Sequence, residues 1–189
     1  MNIIQAAIPD VLILKPRVFA DSRGYFFETY SEQRYHDCGI TSSFVQDNES
    51  QSMKGVLRGL HYQEAPYAQA KLVRVIRGAV LDVAVDIRKG SPTFGKYIAE
   101  HLSAENKQQL FIPHGFAHGF LVLEDHTIFS YKCDNYYYPQ HEHGIQWDDP
   151  QINIPWPQLD MPFVLSEKDK RQPFLADAVL FENEKETMR

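Results

Sequence analysis

Four short stretches of the chain set acid, base and cation side chains among apolar neighbours. In Gly55-Val56-Leu57-Arg58-Gly59-Leu60-His61-Tyr62-Gln63 an arginine and a histidine lie three residues apart. Strand side chains alternate, so this spacing alone sends Arg58 and His61 to opposite faces, and Gly59 permits a bulge that turns both the same way. The alternative is an edge strand with a solvated Arg58 and a hydrogen-bonded His61. In Ile112-Pro113-His114-Gly115-Phe116-Ala117-His118-Gly119-Phe120, a proline and two glycines impose an unusual backbone around His118. Such a backbone suits an imidazole delivered into a cavity, or equally a structural turn with a satisfied core histidine. Phe129-Ser130-Tyr131-Lys132 and the following Asn135-Tyr136-Tyr137-Tyr138-Pro139 supply phenols. These are core residues with hydroxyls at the rim, or else a proton donor and a stacking surface for a base or sugar. Ser166-Glu167-Lys168-Asp169 reads as a capped helix start, and it gains chemical interest only if Asp169 reaches a histidine elsewhere.

The elements that must position these groups are mostly strands. Residues 80–87 alternate, with Leu81, Val83, Val85 and Ile87 on one face and Asp82, Ala84 and Asp86 on the other. Residues 71–77 form a second such run, and Gly78 between them reads as a hairpin turn. Further strands are expected at 11–14, 25–30, 56–63, 97–102, 110–112, 119–123 and 127–132, separated by turn chemistry such as Lys89-Gly90-Ser91-Pro92. Many short strands at this spacing imply a sandwich or barrel. Helix is confined to 32–38, capped by Ser31 and ended by Gly39, and to a short piece after Ser166. Four prolines within 150–162 predict an extended strap. No repeat or linker divides the chain, so one domain over 1–189 is expected.

Composition narrows the function classes. With 43% hydrophobic and 13% aromatic residues, the 189-residue chain can fill a core, which excludes disorder. The balance of 19 Lys+Arg against 25 Asp+Glu gives a net charge of −6, with no long basic run, so nucleic acid is not an expected partner. No stretch approaches a membrane span or a signal peptide, and the two cysteines form no CxxC pair, so a soluble cytoplasmic protein is expected. Dinucleotide fingerprints, phosphate-cradling loops and GxSxG elbows are missing.

A metal site is the natural rival, because histidines inside β-barrels often hold one. The Pro-x-Gly-x-x-His run ending at His118 is similar to the second metal motif of the cupins. The first cupin motif needs a His-x-His pair, whereas this chain has His61-Tyr62-Gln63, and a neutral amide is a poor ligand.

Taken together, the motifs resemble the dTDP-4-dehydrorhamnose 3,5-epimerase family from about Ile8 to Asp169. Besides the stretches above, the resemblance rests on residues 21–28, 44–48, 69–73, 82–88, 91–95, 102–106 and 152–157. It implies an all-β, cupin-type jelly-roll barrel with a few short helices, free of metal and cofactor. It also implies a homodimer whose N-terminal segments cross to the partner. The implied reaction converts dTDP-4-dehydro-6-deoxy-D-glucose to dTDP-4-dehydro-L-rhamnose. Protons alpha to the C4 ketone are removed on one face and returned on the other.

By the same resemblance, His61 is the general base, Asp169 the carboxylate that orients it, and Tyr131 the opposite-face acid. Lys71 is the cation beside the enolate oxygen, and His118 lines the same pocket. Arg23, Glu28, Gln46, Asp47, Asn48 and Arg58 fall in stretches that hold the nucleotide diphosphate and base. Phe26 and Tyr137 are the aromatic surfaces for the pyrimidine, and Glu142 and Lys168 are further substrate contacts. Three other readings share the scaffold: an epimerase acting at C3 or C5 alone or on another nucleotide sugar, a non-enzymatic nucleotide-sugar-binding cupin, and a metal-dependent cupin oxygenase.

Overall fold

The computed structural model describes residues 1–181, so the last eight residues of the expected 1–189 domain lie outside the described residues. The described residues form thirteen strands: β1 (Asn2–Gln5), β2 (Leu12–Lys15), β3 (Phe19–Asp21), β4 (Gly24–Phe26), β5 (Gln46–Ser52), β6 (Leu57–Gln63), β7 (Lys71–Arg77), β8 (Ala79–Asp86), β9 (Tyr97–Ser103), β10 (Gln109–Ile112), β11 (Phe116–Val122), β12 (Thr127–Cys133) and β13 (Glu142–Gly144). One sheet runs β1-β2-β10-β7-β12-β5, a second β13-β6-β11-β8-β9, and β3-β4 form a separate hairpin. Every paired strand is antiparallel. The two large sheets stack as a jelly-roll sandwich, and hydrogen bonding does not close them into one cylinder.

Alternation explains the layers. Val73, Val75, Leu110, Ile112 and Phe129 of the first sheet meet Val80, Ala84, Ile98, Leu102, Phe116 and Phe120 of the second in the central core. The outer face of the second sheet is covered too: Leu60, Tyr62, Val83, Val85 and Ile87 pack under Ile152, Ile154, Trp156 and Leu175 of the C-terminal strap. Leu14, Leu72 and Phe111 on the outer face of the first sheet pack under Tyr30, Tyr35, Ile40 and Phe44.

The strands expected at 71–77 and 80–87 form with the turn at Gly78, whose φ is +78°. The polar face of β8 points inward rather than to solvent, because the strap covers the apolar face. Asp82 and Asp86 are therefore fully buried. The strand expected at 25–30 is confined to Gly24–Phe26; the chain then leaves the hairpin, and the Thr29 carbonyl accepts from Tyr35 Oη and Gln109 Nε2. Helix α1 (Glu32–His36) is shorter than expected, and Ser31 makes no side-chain cap. The strap carries no strand, as its prolines require.

Candidate active site

The backbone around Gly59 brings the first two clusters together. In the β6–β11 pairing, His61 faces His118 and Arg58 faces Phe120, so two residues of β6, Gly59 and Leu60, oppose the single Gly119 of β11. This is the expected bulge. Gly59 has φ +121°, and a Cβ there would sit 2.5 Å from Gly119 Cα and 2.7 Å from the His118 carbonyl oxygen. Only two facing glycines allow so close an approach. Arg58 and His61 consequently line one cavity with Lys71, His118, Tyr131, Lys168 and Asp169.

That lobe of about 230 Å³ continues into another of about 320 Å³ lined by Gln46, Asn48, Gln69, Cys133, Tyr137 and Glu142, and His61, Lys71 and Tyr131 border both. The cavity lies between the sheets. His61 projects from the second sheet, while Lys71 and Tyr131 belong to adjacent strands of the first.

Each chemical group has a defined neighbour. His61 Nε2 is 2.5 Å from Asp169 Oδ1. The 3-10 turn at Asp169–Arg171 fixes that carboxylate, with the Asp169 amide donating to Ser166 Oγ at 3.1 Å. Burial opposes ionisation of Asp169, but its bonds to His61 and Ser166 hold the carboxyl below the usual range. His118 Nε2 sits 3.0 Å from both oxygens of Asp82, whose carboxyl is pushed up by burial against the pull of His118 and Lys71. Burial draws the Lys71 ammonium down and pushes the Tyr131 phenol up.

At the far end Glu142 accepts from Tyr137 Oη at 2.6 Å and from Lys168 Nζ. Those bonds hold its carboxyl below the usual range although burial acts the other way, while Glu142 pushes the Tyr137 phenol up to about 12. Gln46 donates to Asn48 and accepts from the Tyr137 amide, and Arg58 donates to Ser52 Oγ.

Four expected contacts lie elsewhere. Asp47 points away from the cavity because it alternates with Gln46 and Asn48, and it pairs with Lys132 at 2.8 Å. Arg23 and Phe26 sit on the β3-β4 hairpin in a separate hollow, and Arg23 pairs with Asp21. Glu28 pairs with Arg34 at 3.2 Å. Asp82, Ser52 and Cys133 belong to the site but were not foreseen, although the Asp82–Ala84–Asp86 face of β8 carried the signal for Asp82.

Gln63, where the cupin pattern would have a histidine, is 3% exposed and fully engaged. It donates to the carbonyls of Tyr67 and Tyr136 and accepts from the Tyr138 amide at 2.6 Å. Among the described residues no three His, Cys, Asp or Glu side chains form a metal-binding group.

A family model described as dTDP-4-dehydrorhamnose 3,5-epimerase matches residues 5–177. The chain belongs to the dTDP-4-dehydrorhamnose 3,5-epimerase family. It is 57% identical to the enzyme of that name from Escherichia coli, over 90% of this chain and 92% of the relative. It is 54% identical to the Pseudomonas aeruginosa enzyme of the same name, over 96% and 99%. The crystal structure of a Legionella pneumophila dTDP-6-deoxy-D-glucose-3,5-epimerase in complex with dTDP-4-keto-L-rhamnose superposes with a TM-score of 0.93, at 48% identity over 97% of this chain and 98% of that one. The sandwich is thus the fold of an isomerase family acting on nucleotide sugars.

Proposed function

We propose that the protein inverts C3 and C5 of dTDP-4-dehydro-6-deoxy-D-glucose, giving dTDP-4-dehydro-L-rhamnose for deoxysugar biosynthesis. The observation that carries this reading is an imidazole and a phenol on opposite walls of one cavity, suited to act as base and acid. His61, backed by Asp169, belongs to one sheet, and Tyr131 to the other. The Legionella relative holds dTDP-4-keto-L-rhamnose, which supports the same nucleotide sugar as ligand here.

His61 Nε2 faces Asp169 Oδ1, so the substrate-facing nitrogen in this reading is Nδ1. It takes the proton from the carbon alpha to the C4 ketone, the electron pair moves onto the C4 oxygen, and Asp169 supports the imidazolium that forms. Lys71 supplies positive charge toward that oxygen, and His118 lines the same region. Tyr131 then returns a proton to the opposite face of the carbon. No electrons leave the substrate, so the step balances without a redox partner.

Tyr137, Gln46, Asn48, Glu142 and Lys168 hold the nucleotide end, and Arg58 holds phosphate through its planar fork. Arg23, Phe26 and Glu28 complete that end from a second subunit. Their hairpin exposes Phe19, Tyr25 and Phe26 by 51%, 61% and 69%, an apolar surface suited to a partner. A homodimer with exchanged N-terminal segments follows. The cytoplasm suits the free Cys38 and Cys133.

The test is proton NMR of dTDP-4-dehydro-6-deoxy-D-glucose with the protein in D₂O. Deuterium is expected at both C3 and C5 with inversion, while Tyr131→Phe keeps exchange and loses inversion. Exchange at a single carbon would reassign the protein as a monoepimerase.

A further inference from the structure

Glu64 follows β6 and takes no part in the chemistry above. Its Oε1 is 2.9 Å from His141 Nδ1, and its Oε2 is 3.3 Å from His143 Nε2. Tyr67 stacks on the His141 ring, with centroids 4.1 Å apart at 27°, and Tyr62 lies against His143 at 5.8 Å. The Glu64 amide also donates to the His141 carbonyl at 3.1 Å. His141, the last residue of the 3-10 turn Pro139–His141, and His143 of β13 flank Glu142 in sequence. Both histidines meet Glu64, while Glu142 meets Tyr137 and Lys168 in the cavity.

The mechanical situation explains why such a clasp matters. β13 has three residues, lies at the edge of its sheet and, among the described residues, pairs only with β6. A strand that short has few ladder bonds to hold its position. The Gln63 amide secures the neighbouring Tyr136–Tyr138 backbone, and Glu64 hydrogen-bonds His141 in the turn that leads into β13 and lies within ion-pair reach of His143 in β13.

We propose that Glu64, gripping His141 and His143, is a positioning residue that fixes the Tyr137–Glu142 wall and thereby sets the affinity for the nucleotide end of the substrate. This rests on the reading that Tyr137 and Glu142 face the nucleotide. The groups facing Glu64 are the two histidines and the Tyr62 phenol. The His141 bond, helped by His143 and opposed by burial, keeps the Glu64 carboxyl below the usual range.

The experiment compares the wild-type protein with Glu64→Gln, Tyr137→Phe and the double variant. It measures dTDP affinity by calorimetry, kcat and KM by epimerisation, and Tm. Glu64→Gln is expected to weaken dTDP about threefold or more, with KM rising in parallel and kcat staying within about twofold, the scale of a partly exposed ion pair. The two substitutions should combine less than additively, because both loosen one wall. His141→Asn, a second route to the same loosening, should repeat the pattern. An unchanged dTDP affinity with a lowered Tm would reduce the clasp to a structural role and overturn the proposal. A loss confined to kcat, or full additivity with Tyr137→Phe, would overturn it as well. A wild-type protein that does not bind dTDP would instead remove the functional reading, and this inference with it.

Discussion

Lys71 and Tyr131 face one cavity, and burial favours the neutral form of both, with opposite consequences for the pH range in which each works. The Lys71 ammonium is drawn down, so its charge is lost before that of an ordinary lysine as pH rises. Tyr131 is pushed up, so its proton stays available beyond the range of an ordinary phenol. If Lys71 acts as proposed, the alkaline limb of kcat is expected to follow it. Lys71→Arg, whose guanidinium stays charged, is expected to move that limb to higher pH, as a kcat profile from pH 7 to 10.5 would show. Identical limbs in both proteins would assign the ionisation to another group. At this scale the sequence was informative about residue types and silent about partners. His61 and Tyr131 stood out as titratable groups among apolar neighbours, and only the resemblance gave them the roles of base and acid. The resemblance paired His61 with Asp169, 108 positions away, where spacing alone could not, and the orientation of His118 by Asp82 was given by neither.

The elements were legible wherever apolar alternation had a single meaning. β7 and β8 were read with their turn, and so was the bulge at Gly59. β5 was missed because Gln-Asp-Asn-Glu-Ser-Gln-Ser carries no apolar residue. Its inward side chains line a polar cavity instead of a core, so the signal that marks a strand is absent where the strand serves the site. β8 shows the converse, since a covering strap turned its polar face inward. The close approach of β6 and β11 is the most demanding local feature. A methyl group at Gly59 would collide with backbone on β11, which cannot rotate aside, and φ +121° is unfavourable for any other residue. Overpacking and backbone strain each cost about 1–3 kcal/mol, so Gly59→Ala is expected to lose several kcal/mol in urea denaturation. A variant within about 1 kcal/mol of wild type would show that the two strands can separate without loss.

At the scale of the whole molecule, one chain builds the cavity and leaves Arg23, Phe26 and Glu28 outside it. The resemblance carried these three residues to the site by motif alone, and a single chain has no geometry that brings them there. The exposed apolar hairpin and the position of Arg23 and Phe26 in a separate hollow find one common explanation in the proposed exchange between subunits. The exchange predicts complementation. In the proposed reading His61→Asn lacks the base, and Arg23→Ala is weakened at the nucleotide end. In a mixed dimer one cavity combines His61 of the Arg23→Ala chain with Arg23 of the His61→Asn chain, and is whole. Unfolding and refolding the two variants together in equal amounts should make half the dimers mixed, each with one intact cavity, so activity should return to roughly a quarter of wild type. Without exchange, every His61→Asn chain is inert and Arg23→Ala chains gain nothing, so the mixture would show only half the activity of Arg23→Ala alone. Assaying the mixture at subsaturating substrate, where loss of a phosphate contact weighs most, separates the two outcomes.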